Sequence, residues 1–274
     1  MGLRRALGEA WVKHRRKVER VLVGPGHVFV GWHRGRPAGV RASLYCVYRE
    51  KNAGLLGELL ASLPATTAAH LHALDAVAPA LADRTRSSGP GQRMELLQEL
   101  IDANPPRPGD YVVIADDDVT FLGSGGRSCI GLASAAGLDV AQPAHAFGSH
   151  HTWITTRVEA LSVVRRTTYV EVGPFVVLSP RAQAWVLPFP PESGMGWGVD
   201  IAWSGMAGPE FLLGVVDATP VVHHGEVGVA YSAADADVYL QSQLAALGVS
   251  HTSEVARNVG LTWRPWQKAA KWVR

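Results

Sequence analysis

Apolar and polar positions follow a regular order through the middle of the chain. Residues 41–48, RASLYCVY, mix β-branched and aromatic residues with alternating polarity, which is typical of a strand. GLLGELLASL, which ends before Pro64, predicts a short helix, and HLHALD at 70–75 predicts a second strand. In QRMELLQELIDA, at 92–103, apolar and polar residues occupy separate helical faces. The β-branched run YVVIA at 111–115 then predicts a buried strand.

This order, strand, helix, strand, helix, strand, predicts an α/β sandwich around a mostly parallel sheet flanked by helices. Ser88 is predicted to cap the second helix, with Pro90 early in its first turn. From about residue 161 the chain changes to strand-like apolar pieces and loops rich in Gly, Pro and Trp, which indicates an α+β half. Ligands of such folds bind at the carboxyl ends of the strands.

Composition narrows the class of protein. Hydrophobic residues make up 47% of the chain and charged residues 18%, which excludes wholesale disorder. The formal net charge of +2 is too small to predict nucleic-acid binding. Cys46 and Cys129 form no CxxC pair, so neither a disulfide framework nor a structural zinc site is indicated. Without an apolar stretch of signal-peptide or membrane-span length, the expected compartment is the cytosol.

The two ends of the chain differ from its middle. Residues 1–40 form a basic extension, and residues 251–274 form a basic, aromatic tail. These ends would suit a peripheral membrane contact or a homodimer contact. For the basic extension at residues 1–40, a solvated helix face is the simpler interpretation. Because no repeat or long linker occurs between them, residues 41–250 are predicted to form a single domain.

Three consecutive carboxylates, Asp116, Asp117 and Asp118, follow the predicted strand at 111–115. Side chains at i and i+2 of a strand project to the same side, so Asp116 and Asp118 could present their oxygens to one point. Magnesium is usually held by one or two carboxylates, while substrate phosphates and waters fill its other positions. The cluster therefore predicts a cation site for a diphosphate substrate, and the alternative is a solvated acidic turn.

A second candidate segment is GMGWGVDIAWS at 194–204, in which glycines surround Trp197 and an acid, Asp200, follows Gly198. Glycine permits positive φ and close backbone approach. An aromatic face can stack on the apolar face of a sugar, and a carboxylate can take a proton from an attacking hydroxyl. The alternative is a glycine and tryptophan turn that only fills the core.

A third segment, VVDATPVVHHG at 215–225, ends an apolar run with His223 and His224. Adjacent residues of an extended segment point to opposite sides, so at most one of the two would reach a given metal. A hydrogen-bonded structural histidine is the alternative. HAFGSHH, at 145–151, matches no zinc spacing and is interpreted as a loop.

In this order the three segments resemble a GT-A type, family 2-like nucleotide-sugar glycosyltransferase. VVIADDDV is similar to its DXD segment, GWGVD to its later acceptor-side acid, and VVHH to its final histidine ligand. The later half also resembles a little-characterised GT-A-like family in which GWG-x-D precedes a VVD strand that ends in histidine. The resemblance covers roughly residues 40 to 225. It implies a GT-A, Rossmann-like fold with a nucleotide-sugar half at 41–120 and an acceptor half at 121–250.

The resemblance implies how the acidic cluster would work. Asp116 and Asp118 would meet the donor diphosphate through Mn²⁺ or Mg²⁺, with Asp117 assisting. His223 would be the late metal ligand, with His224 as the less favoured choice. The activity implied is metal-dependent transfer of a sugar from a UDP-, GDP- or dTDP-sugar to an acceptor hydroxyl.

The resemblance also implies roles for the later segment and for the arginines. Asp200 would be the general base that deprotonates the acceptor, which predicts inversion at the anomeric carbon, and Trp197 and Gly198 would contact the acceptor. The arginines that flank the SSGPGQ loop would approach the nucleotide phosphates: Arg84, Arg86 and Arg93. The opening segment CVYREKNAG only loosely matches the family pattern, so the donor base and sugar stay open, as does the acceptor.

Two rival interpretations remain. IADDDVT also fits the D-x-D-x-T strand of haloacid-dehalogenase-like phosphatases, in which Asp116 would be the nucleophile and Asp118 the acid and base. Those enzymes need a later lysine, and the chain has none between Lys51 and Lys268. The other rival is a protein that binds a sugar or nucleotide without turnover.

Overall fold

The computed structural model describes residues 40–123, 125–225 and 233–267. The predicted basic extension, except for residue 40, and residues 268–274 of the predicted tail lie outside these ranges. None of the described helices is long and apolar enough to cross a membrane.

One sheet of ten strands organises the described chain. The strands are β1 (Ala42–Tyr48), β2 (Ala68–Ala73), β3 (Thr85–Ser88), β4 (Tyr111–Ala115), β5 (Val119–Phe121), β6 (Val140–His145), β7 (Val164–Thr167), β8 (Phe175–Leu178), β9 (Leu213–His223) and β10 (Asn258–Trp263). The α-helices are α1 (Ala53–Ser62), α2 (Arg93–Ala103), α3 (Gly125–Ala135), α4 (Pro180–Val186), α5 (Val199–Met206) and α6 (Ala233–Ala246). The spatial order is β10-β7-β9-β6-β8-β4-β1-β2-β3, and β5 pairs with β9.

The first half is parallel, as predicted. Strand β1 pairs in parallel with both β2 and β4, and β2 pairs in parallel with β3. Side chains of β4 alternate between two cores, so that Val113 packs with Leu56 of α1, whereas Val112 and Ile114 pack with Leu97 of α2. The two helices therefore cover opposite faces of the sheet. Each fully buried valine or isoleucine side chain contributes about 1.5–3 kcal/mol to this sandwich.

The second half is mixed, as the change in pattern predicts. Strand β8 lies antiparallel between β4 and β6, and β9 runs parallel to β6 but antiparallel to β7 and β5. The β5–β9 ladder places Val119 opposite His223. Strand β10, which falls in the predicted tail, pairs with β7 and so extends the sheet.

The predicted cap at Ser88 is wrong. Ser88 is the last residue of β3, where it pairs with Ala73 of β2, and α2 begins only at Arg93, after Gln92 in the N-cap position. Pro90 consequently lies before the helix. Strand pairing across the sheet supplies hydrogen bonds at Ser88 that outweigh its local preference for a helix start.

Candidate active site

The carboxyl ends of β1, β4 and β9 open into a cleft of about 1240 Å³. The cleft draws on both halves of the chain. Its lining includes seven of the residues that the sequence analysis singled out as candidate site residues: Asp116, Asp117, Asp118, Trp197, Gly198, Asp200 and His223. A ligand in this cleft could therefore contact the acidic cluster at one end and the glycine-rich segment at the other.

Asp116, Asp118 and His223 form a compact cluster in which one ligand atom from each lies within 4.8 Å of the others. Nε2 of His223 is 3.1 Å from Oδ1 of Asp118 and 3.7 Å from Oδ2 of Asp116. Regular strand structure ends at Ala115, so strand alternation alone does not bring the two aspartates together. Pairing of β5 with β9 places His223 beside Asp116 and Asp118.

The electrostatic interactions within this cluster favour a negatively charged Asp118 beside a positively charged His223. Burial raises the pKa of Asp118, but the hydrogen bond and charge of His223 outweigh it and hold the pKa below its ordinary value. Burial lowers the pKa of His223, but the hydrogen bond to Asp118 and the nearby carboxylates raise it overall. Two carboxylates and one imidazole are a donor set suited to a divalent cation.

Glycine allows the chain to pass close to both carboxylates of the cluster. A Cβ at Gly225 would lie 2.2 Å from Oδ2 of Asp118, and one at Gly173 would lie 2.8 Å from Oδ2 of Asp116. Real Cβ contacts are never so short, so a side chain at either position would displace a carboxylate. The compactness of the cluster thus depends on these two glycines.

Only one of the three predicted arginines reaches the cleft. Arg93, at the start of α2, donates from Nε to Oδ1 of Asp116 at 2.9 Å, and its Nη2 lies 2.8 Å from the same oxygen. Arg84 is exposed with Nε 3.7 Å from Asp83, and Arg86 donates to the Asp83 carbonyl. Neither Arg84 nor Arg86 is among the described residues that line the cleft.

Asp117 and His224, which are adjacent in sequence to the cluster residues, make hydrogen bonds outside the cluster. Asp117 accepts a 2.7 Å hydrogen bond from the backbone N–H of Arg49, and burial raises the pKa of its carboxyl. This side chain therefore anchors the turn after β1. Nε2 of His224 is 2.8 Å from Oγ1 of Thr120, on the side away from His223, as expected for adjacent residues of an extended segment.

Asp200 lies in the first turn of α5, at the other end of the cleft. Its Oδ2 accepts a 2.7 Å hydrogen bond from the hydroxyl of Tyr169, and its Oδ1 accepts a 2.9 Å hydrogen bond from the backbone N–H of Ile201. Burial raises its pKa to about 6, the charge of Glu171 adds to this rise, and the Tyr169 hydrogen bond opposes it. A carboxylate that titrates near neutrality is suited to general base catalysis.

The glycines around Trp197 adopt the positive φ that the sequence predicts. Gly196 has φ 102° and Gly198 has φ 95°, and Gly198 is the N-cap of α5. A Cβ at Gly198 would lie 2.8 Å from Cα of Leu240 in α6. Gly198 therefore allows α5 and α6 to approach closely, which holds Asp200 and Trp197 at the cleft.

The sequence analysis did not predict several of the residues that line the cleft. His150 and His151, from the loop HAFGSHH, line the cleft, and the ring of His150 is 6.3 Å from that of His223. Tyr169 and Glu171 also line it. The alternation in TYVEV was the available signal for these last two, because in an extended segment it predicts both side chains on one side.

Comparison with known proteins identifies the fold. No protein-family model matches the chain, and no curated protein does. The crystal structure of GalNAc-T7 with UDP, GalNAc and Mn²⁺ matches with a TM-score of 0.51 and 11% identity, over 79% of this chain and 50% of that one. The structure of S. aureus TarS 1–349 in complex with UDP-GlcNAc matches with a TM-score of 0.54 and 11% identity, over 79% of this chain and 69% of that one.

These likenesses confirm the predicted fold class: the chain has the GT-A fold. It spans half the length of the GalNAc-T7 chain that it matches.

Proposed function

We propose that this protein is a metal-dependent glycosyltransferase that moves a sugar from a nucleoside diphosphate sugar to an acceptor hydroxyl, with inversion. The observation that carries the proposal is the presence of two distinct sites in one cleft of a GT-A fold. One is the cluster of Asp116, Asp118 and His223, whose ligand atoms lie within 4.8 Å of one another. The other is Asp200, whose pKa is raised to about 6.

Asp116, Asp118 and His223 would hold Mn²⁺ or Mg²⁺. Their two carboxylates and one imidazole fit such an ion, and the glycines at 173 and 225 leave the carboxylates room to converge. When bound, the ion would supply positive charge to a leaving diphosphate. The related structures contain UDP with Mn²⁺ and UDP-GlcNAc, so a UDP-sugar is the first donor to test, before GDP- and dTDP-sugars.

Arg93 would orient the donor beside this cluster. Its guanidinium is fixed by Asp116 and only 13% exposed, which limits its conformational freedom. A fixed guanidinium can donate to phosphate oxygens in a defined direction. Arg84 and Arg86, which lie outside the cleft lining, have no part in this proposal.

Asp200 would act as the base. Tyr169 holds one carboxylate oxygen and Ile201 the other, so the side chain keeps one orientation. As the acceptor oxygen forms its bond to the anomeric carbon and the bond to the diphosphate breaks, the hydroxyl proton would pass to Asp200. A single displacement from the face opposite the leaving group inverts the anomeric centre.

The phosphatase alternative has less support. It requires a lysine near the phosphate, and the described residues that line the cleft include none. Those enzymes also carry their nucleophile near the start of the domain, whereas three strands precede β4.

The test is thermal stabilisation by UDP, GDP and dTDP with and without Mn²⁺, followed by hydrolysis or transfer of the matching sugar nucleotide. We expect stabilisation by one nucleotide only with metal, lost in Asp118→Ala and retained in a control, Asp83→Ala, outside the cleft. Metal-dependent nucleotide binding with no turnover of any donor would instead indicate a binding protein. Cleavage of phosphate esters that requires Asp116, without nucleotide binding, would indicate a phosphatase.

A further inference from the structure

The cleft has an aromatic wall at its Asp200 end, formed by Trp153, Trp197, Tyr239 and His251. The rings of Trp153 and His251 meet edge to face, with centroids 4.9 Å apart and planes at 85°. Such a contact fixes both rings relative to each other. The indole N–H of Trp153 is buried and has no hydrogen-bond partner in the described chain.

This wall is built onto the same elements that position Asp200. Trp153 packs against a buried cluster that contains Tyr169, the residue that donates to Asp200. On the other side, Cδ1 of Tyr239 lies 3.1 Å from where a Cβ of Gly198 would be. A molecule that presents a hydroxyl to Asp200 would therefore contact the aromatic wall.

Four acidic side chains lie at this end of the cleft. Glu192 and Asp237 line it together with Asp200 and Glu171. The described lining has two arginines: Arg93, which pairs with Asp116 and whose Nη1 would lie 3.4 Å from a Cβ at Gly196, and Arg49, whose backbone N–H binds Asp117.

We propose that the acceptor is an uncharged glycoside that lies with a pyranose ring against the aromatic wall. The inference rests on the proposed glycosyltransferase function and specifies its acceptor. The C–H face of a sugar ring packs well on aromatic rings, and sugar hydroxyls can donate to Glu192 and Asp237. A phosphorylated or uronic acid acceptor would bring negative charge towards the carboxylates of Glu192, Asp237 and Asp200, which is unfavourable.

The test uses the full chain with UDP and Mn²⁺ and a panel of matched sugars. The panel contains the methyl pyranosides of glucose, galactose and mannose, each beside its uronide, which differs only in a carboxylate at C6. Binding is followed by saturation-transfer NMR and titration. We expect at least one neutral glycoside to bind about tenfold more tightly than its uronide.

Variants distinguish the wall from the rest of the surface. Trp153→Ala should abolish glycoside binding, while Trp185→Ala, which removes an exposed tryptophan stacked on Phe211 away from the cleft lining, should leave it unchanged. The double variant Glu192→Gln/Asp237→Asn should improve uronide binding and so reduce the discrimination. Circular dichroism of each variant confirms folding.

Two results would overturn the proposal: preferred binding of the uronides, or binding of none of the six sugars by a protein that UDP and Mn²⁺ do stabilise. In the second case the glycosyltransferase proposal survives and only the acceptor inference fails. If no nucleotide stabilises the protein with metal, the proposed function itself fails.

Discussion

His223 and Asp118 meet at 3.1 Å, between Nε2 and Oδ1, because the strands that precede and follow them are paired. Val119 lies opposite His223 in the β5–β9 ladder, so the residue just before β5 is held beside the last residue of β9. Burial of both partners strengthens their electrostatic contact. This pair is the structural centre of the candidate metal site.

Replacing Asp118 with asparagine should weaken Mn²⁺ binding at least about tenfold, because the amide keeps the size of the side chain but removes its charge. Isothermal titration with Mn²⁺ measures the effect. Asp83→Asn, at an exposed aspartate outside the cleft lining, is the matched control. Equal affinity in wild type and Asp118→Asn would exclude this residue as a ligand.

Mn²⁺ affinity should rise with pH through the pKa of His223, which is raised above 6.5. Metal coordination requires the neutral imidazole, so each bound ion displaces a proton that Asp118 and Asp116 help to retain. Titrations between pH 6 and 8 in a buffer without metal affinity check this expectation. A pH-independent affinity would contradict it, and His223→Gln should flatten the dependence.

Without metal, the same pair should stabilise the fold within a limited pH window. The pKa of Asp118 is lowered from 3.8, so its contribution is present above that value and disappears as pH falls through the lowered pKa. The pKa of His223 is raised from 6.5, so its contribution is full below 6.5 and disappears as pH rises through the raised pKa. Urea unfolding of wild type and His223→Gln should therefore differ most near pH 5 and least near pH 9. A constant difference would argue against a charged pair.

Tyr169→Phe should move the acidic limb of the activity profile to higher pH. The Tyr169 hydrogen bond opposes the rise in the pKa of Asp200 to about 6, so its loss leaves more of the carboxyl protonated near neutrality. Sugar transfer measured from pH 5 to 8 should fall more at pH 6 than at pH 8. Tyr45→Phe, whose hydroxyl donates to the Asn104 carbonyl, is the control, and an unshifted limb would remove Asp200 from the role of base.

Gly198→Ala should destabilise the fold more than Gly248→Ala does. Both glycines have positive φ, 95° and 68°, so both substitutions incur about 1–2 kcal/mol of backbone strain. Only the Cβ at Gly198 meets the backbone of Leu240, at 2.8 Å, which adds about 1–3 kcal/mol. Urea unfolding at constant pH compares the two variants. Equal losses of stability would show that α5 and α6 do not need their close contact.

Much of the fold could be predicted from local pattern. The strand at 111–115 and the helices at 53–62 and 93–103 follow from side-chain periodicity, which depends only on near neighbours in the chain. The opposite orientation of His223 and His224 follows for the same reason. The order of these elements sufficed to predict a parallel sheet sandwiched between helices.

The sequence could not show which polar residues converge. Asp117 and Asp118 are chemically identical neighbours, yet one is held by the backbone of Arg49 and the other faces His223. Arg93 reaches Asp116 while Arg84 and Arg86 stay outside, and the loop with His150 and His151 folds into the cleft.

By itself, then, the sequence determined the elements, the acidic cluster that follows β4 and the glycines that admit positive φ. Only the tertiary structure decided that Asp118 and His223 share a site, that Asp200 is paired with Tyr169, and that Ser88 ends a strand instead of capping a helix. Periodicity is a short-range property of the backbone, whereas these contacts depend on strand pairing and packing between residues far apart in the chain.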